Sequence, residues 1–186
     1  MQLAIKFKFV LTTFLIFYVF NSFGQYHAGH IINNNGETLK CEIFLPNYLN
    51  GQLNYSALTK NITTKTETGI IRYKPTDIKI AEIQLENNDK VRFMSIPEDK
   101  KQFLQENEIG KLSYFTLHIS NSGFAAPILR KDGKLTYLNV VNKKKRVENM
   151  IADFPKLRED WNNNKYDFTE LQNVVKLYNQ HFKEMK

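Results

Sequence analysis

KLSYFTLHISNSGFAAPILRKDGKLTYL, residues 111–138, is the stretch that decides the fold. Within it Phe115, Leu117 and Ile119 alternate with Thr116, His118 and Ser120. Successive side chains leave a strand in opposite directions, so this period of two predicts a strand with one apolar face. Asn121-Ser122-Gly123 offers a turn, and Pro127 to Arg130 runs back. Asp132-Gly133 suits a two-residue hairpin, whose central residues must both accept positive φ. Leu135 to Leu138 then returns. Three strands joined by short turns predict an antiparallel meander.

Working back towards the N-terminus, the same pattern recurs. Tyr26 to Ile32 and Leu39 to Leu45 read as strands flanking the turn Asn33-Asn34-Asn35-Gly36. Leu53 to Leu58 and Thr63 to Thr68 are weaker strand candidates, and Ile70 to Tyr73 is stopped by Pro75. In Ile78 to Leu85 the apolar phase slips near Ala81-Glu82, which predicts a β-bulge there. Val91 to Ile96 and Phe103 to Ile109 complete the strands before the meander, with Pro97-Glu98-Asp99 as the turn between them.

Beyond Asn142 the period changes. Val147, Met150, Ile151 and Phe154 fall at helical spacing, and Pro155 either ends that helix or begins the next one at its first turn. Asp167 and Glu170 form a capping box. They precede a stripe of Phe168, Leu171, Val174, Val175, Tyr178 and Phe182, which must pack against something, most simply one face of the sheet. Strands followed by helices predict an α+β fold. The expected form is an antiparallel β-meander, curved or barrel-like, with two to three C-terminal helices on the sheet.

The expected organisation is a targeting segment at 1–24, a β domain at 25–142 and a helical segment at 143–186 packed on the same core. Lys6 and Lys8 precede the apolar run Phe9 to Phe20, and Ser22-Phe23-Gly24 places small residues where a signal peptidase cuts, before Gln25. The apolar run is shorter than the roughly 20 residues a membrane span needs. Without this segment 24 basic residues face 19 acidic ones, a net charge of +5. That excess is mild. Export and the lack of aromatics among the basic residues argue against nucleic acid. The one dense basic run, Lys143-Lys144-Lys145-Arg146, reads as a solvated connection or as a contact for an anionic surface. A single cysteine, Cys41, excludes an internal disulfide, and its alternation with Leu39, Ile43 and Leu45 points to a small buried residue.

No chemical motif stands out. His27, third from a processed N-terminus, invites a copper or nickel site, but an N-terminal Gln25 tends to cyclise and lose its amine, and His30 has no ligand cluster near it in sequence. His118 reads as a hydrogen-bonded interior residue or an exposed one, and His181 as a cation at a helix end. Glu106 and Glu108, two apart on one strand, would share a face as a carboxylate pair or simply as a solvated edge. Ser122-Gly123 lacks the Gly-x-Ser-x-Gly context, and there is no phosphate loop, His-Glu-x-x-His or cofactor motif. Asn54-Tyr55-Ser56 and Asn61-Ile62-Thr63 match the glycosylation pattern.

Several short segments together resemble a family of uncharacterised exported β-rich proteins of Gram-negative bacterial envelopes. They are Gly29-His30-Ile31-Ile32 with Gly36-Glu37-Thr38, Tyr73-Lys74-Pro75-Thr76-Asp77-Ile78, Ile109-Gly110-Lys111-Leu112, Lys131-Asp132-Gly133-Lys134-Leu135, Ala152-Asp153-Phe154-Pro155 and Leu177-Tyr178-Asn179. The resemblance implies export and a β-rich domain, and no reaction. It also implies cysteines at the positions of Phe154 and His181, where this chain has neither. Taken together, the residues suggest an exported, non-catalytic binding or structural module of the envelope, with an unknown envelope protein or an anionic surface as partner. The alternatives are a carrier of a small apolar ligand in a curved sheet and a hydrolase using carboxylates or His118.

Overall fold

A computed structural model describes residues 24–119, 123–138 and 141–184. The proposed targeting segment up to Phe23 and the residues Ser120-Asn121-Ser122 of the proposed turn lie outside the described residues. The fold is α+β. A ten-stranded antiparallel sheet is followed by three α-helices.

The strands are β1 Gln25–Asn33, β2 Thr38–Leu45, β3 Ile62–Thr66, β4 Gly69–Tyr73, β5 Ile78–Gln84, β6 Lys90–Ile96, β7 Asp99–Glu108, β8 Leu112–His118, β9 Ala125–Lys131 and β10 Lys134–Tyr137. Their order in the sheet is β10-β9-β8-β7-β6-β5-β1-β2-β3-β4, so β1 is inserted beside β5 and the rest is a meander. Asp132 and Gly133 adopt φ of 49° and 72°, the left-handed pair the hairpin requires.

Two expectations are corrected. Leu53 to Leu58 is not a strand, because Tyr55–Leu58 forms a 3-10 helix. Its buried residues Ser56 and Leu58 lie two apart in sequence, but the Ser56 hydroxyl bonds the Asn54 side chain 2.6 Å away, a local turn that competes with extended pairing. The β5 bulge falls at Lys79, two residues before Ala81. The register with β1 slips between Ile32 and Asn33, whose partners are Ile80 and Ile78, leaving Lys79 unmatched.

The sheet is open and rolled. β3 and β7 stand five strand positions apart, about 24 Å in a flat sheet. Yet the Phe103 amide in β7 donates to the Thr59 carbonyl at 2.7 Å, and Thr59 lies three residues before β3, a reach of roughly 10 Å. The 3-10 helix lies inside this roll. Ile31, Ile43, Leu45, Leu58, Ile62, Ile83, Phe93 and Phe103 fill the space between, all fully buried. On the opposite face, Ile96, Leu104, Phe115 and Ile128 form a second, smaller core. The β6–β7 turn closes it, with Glu98 accepting from Arg130 at 2.8 Å and Asp99 from the Tyr137 hydroxyl at 2.8 Å.

The helices α1 Lys143–Met150, α2 Pro155–Asn162 and α3 Leu171–Glu184 cover the other face of β8 and β9. β8 is therefore apolar on both sides, with Leu112 and Tyr114 under the helices and Phe115 and Leu117 in the smaller core. The Asp167–Glu170 capping box is present and opens the last helix through a single 3-10 turn. Leu171, Val174, Val175 and Tyr178 are buried against Leu112 and Leu129, and Phe168 and Phe182 flank them. Each fully buried apolar side chain contributes about 1.5–3 kcal/mol, so this stripe dominates the docking of α3. Directional bonds fix its register. The Asn179 side chain accepts from the Leu112 amide at 2.9 Å and donates to the Leu112 carbonyl at 2.8 Å, and Gln172 donates to the Asn107 carbonyl. Among the described residues no helix is long and apolar enough to cross a membrane.

Candidate ligand cleft

Most side chains singled out from the sequence are committed to the architecture. Tyr55 covers His118, its ring 5.4 Å away, and Phe93 lies on another side. The imidazole bonds Gln105, and burial lowers its pKa below the ordinary value. It is a part-buried, hydrogen-bonded histidine, covered by the 3-10 helix and not by a C-terminal helix.

Glu106 and Glu108 do not share a face, contrary to the spacing. The register between β7 and β8 slips between them, so Glu106 stands opposite Phe115 and Glu108 opposite Tyr114, which point to opposite sides. Glu106 is held by Arg92 at 2.7 Å. His27 and His30 also leave β1 on opposite faces, since its register with β2 is unbroken through both. Among the described residues no group of three or more His, Cys, Asp or Glu is placed to hold a metal. Cys41 is half-buried and burial raises its thiol pKa, which disfavours the reactive thiolate.

The basic run is spent in the same way. Lys143 sits over the Phe168 ring, Lys144 donates to the Asn162 carbonyl, Lys145 pairs with Glu148, and Arg146 reaches the Tyr137 carbonyl. The run is the exposed first turn of α1 and not the connection expected before the helices.

A cleft of about 720 Å³ lies elsewhere, between the β7–β8 turn and the C-terminal half of α3. Glu108, Ile109, Gly110 and Lys111 form one wall, and Lys176, Gln180, Phe182 and Lys183 the other, with Asn179 at the seam. Gly110 makes the close approach possible: a Cβ there would stand 2.4 Å from the Asn179 side chain. Lys111 is held in place, its ammonium 3.3 Å from the Phe182 ring centroid and 3.6 Å from Asp153. Asp153 in turn takes Lys131 at 2.7 Å and the Tyr178 hydroxyl at 2.9 Å. Burial pushes the Asp153 pKa up, but these donors outweigh it and hold the carboxyl below its ordinary value.

Lys176, Gln180 and Lys183 follow one ridge of α3 at helical spacing. Among the described residues neither Lys176 nor Lys183 has a carboxylate partner within ion-pair distance. Ile109 leaves 48% of its surface exposed at the rim. The cleft thus combines three ammonium groups, one carboxylate and two apolar side chains. In the sequence Lys176, Gln180 and Lys183 look like the solvated side of an amphipathic helix, more than 60 positions from the turn at Ile109-Gly110. Neither a family model, nor a curated protein, nor a solved structure matches this chain.

Proposed function

We propose that the protein is an exported, non-catalytic binding or structural module of a bacterial envelope. The observation that carries this reading is the commitment of chemistry-bearing side chains to structure. His118 packs against Tyr55 and Phe93, Glu106 is paired with Arg92, and Asp153 is tied to Lys131 and the Tyr178 hydroxyl. The hydrolase alternative would need Glu106 and Glu108 together, and they face apart. The carrier alternative would need room inside the roll, where Ile43, Ile62, Phe93 and Phe103 stand with no exposed surface.

Export rests on the charged and apolar pattern of the first 24 residues and on the resemblance to exported envelope proteins. Phe154 and His181, the two positions where the resemblance implies cysteines, stack on one another in this chain. The deciding experiment is a turnover assay of the purified protein on a broad panel of ester, glycoside and peptide substrates. No turnover is expected. Activity that disappears in His118→Ala would overturn the reading. Recovery of the chain from its host beginning at Gln25 would bear on export separately.

A further inference from the structure

We infer that the cleft between the β7–β8 turn and α3 binds an anionic amphiphile, with the acidic headgroup on Lys176 and Lys183 and the hydrocarbon across Ile109 and Phe182. The inference rests on the binding-module reading and names the ligand class. Three features point to this occupant. The lining carries three lysines against one glutamate, so its charge selects an anion. Lys111 is already engaged by Asp153 and Phe182, which leaves Lys176 and Lys183 as the cations open to a ligand. Ile109 is a large apolar side chain left half in water beside them, and covering it is favourable only to a ligand with an apolar part.

A bare anion is a poor fit. Exposed ion pairs in water contribute little, because solvent already satisfies both charges. A neutral amphiphile is equally poor, since it would desolvate the ammonium groups without replacing their hydration. A headgroup and tail on one molecule satisfy both needs at once. The volume of about 720 Å³ lies within the usual range for small-ligand sites.

The test uses dodecyl phosphate below its micellar concentration, titrated into the purified protein and followed by amide chemical shifts. Inorganic phosphate and dodecyl maltoside are the two comparison probes. Saturable shifts are expected at Ile109, Gly110, Lys176 and Gln180. Dodecyl phosphate should bind at least about tenfold more tightly than either comparison probe. The double variant Lys176→Gln/Lys183→Gln should weaken it by about tenfold or more while leaving dodecyl maltoside unaffected. Ile109→Ser should weaken dodecyl phosphate but not inorganic phosphate. All three residues are on the surface, and unchanged amide spectra elsewhere would show that the variants fold.

Absence of saturable shifts overturns the inference, as does full affinity in the double variant. Inorganic phosphate binding as tightly as dodecyl phosphate would reduce the cleft to a plain anion site and also overturn it. Shifts centred on Phe93 and Phe103 would move the ligand into the roll, again against the cleft. A failed titration with a silent substrate panel leaves the module reading standing without this ligand. Turnover would remove that reading whatever the titration gives.

Discussion

The Phe154 ring and the His181 imidazole lie 3.8 Å apart, centroid to centroid, with planes 9° from parallel. One residue precedes Pro155 at the start of α2 and the other sits in the last turns of α3, so this stack joins two helices that otherwise meet through Leu157, Trp161 and Tyr178. Phe154→Cys with His181→Cys should therefore oxidise to a disulfide between the helices. Closing the chain between 154 and 181 is expected to stabilise the fold by about 3 kcal/mol over its reduced form. Thiol titration should then find Cys41 alone, with the melting temperature falling on reduction. Three free thiols under oxidising conditions would show that the backbones are too far apart.

Asn179 acts as a surrogate strand partner for Leu112, taking both its amide and its carbonyl. Asn179→Leu leaves both backbone groups without that partner, and the expected loss is about 2 kcal/mol. Gly110→Ala attacks the same seam from the other side by driving a methyl into the Asn179 side chain. The two substitutions should be strongly non-additive, because they break one contact. Urea unfolding of both single variants and the double variant measures this. Simple additivity would mean that the turn and the helix do not depend on one another.

Much of the fold was legible because its signals were local. The alternation around Phe115, the Asp132-Gly133 pair and the Asp167–Glu170 box each lie within a few residues and appear where expected. The failures have a common cause. A bulge inverts the facing of every residue beyond it, so Glu106 and Glu108 look paired in sequence and are not. The segment around Tyr55 has strand-like spacing, but it pairs with no strand and instead fills the roll, a role set by residues as distant as His118. The cleft was illegible for the same reason, since Lys111 and Lys183 meet only through tertiary packing.

Tyr55 is the cover of His118, and its removal should be read at the imidazole. Burial lowers the His118 pKa, so Tyr55→Ala, which admits water, should raise it towards the ordinary value of 6.5. The truncation should also cost about 1–2 kcal/mol, since Tyr55 is only partly buried. Imidazole resonances followed through a pH titration of both proteins give the comparison. An unchanged His118 titration would mean that the 3-10 helix does not shield the residue.

Glu148 is the carboxylate on which acid sensitivity should turn. It accepts from Lys145 at 2.8 Å and from Arg158 at 2.6 Å, tying α1 to α2, and these bonds hold its pKa at about 2 against an ordinary 4.5. The folded state thus keeps Glu148 ionised at pH values where the unfolded chain has already bound a proton. Its stabilising contribution is complete above about pH 4.5 and is lost as the pH falls through about 2. Glu148→Gln abolishes that contribution at every pH. The variant should be less stable than the parent near neutrality, and the gap should narrow as acid is added between those two values. Urea midpoints for both proteins, measured in steps across the window, test the sign as well as the residue. A constant gap at all pH values would assign the cost of the substitution to lost packing and hydrogen bonds alone, and would place the acid-sensitive group elsewhere.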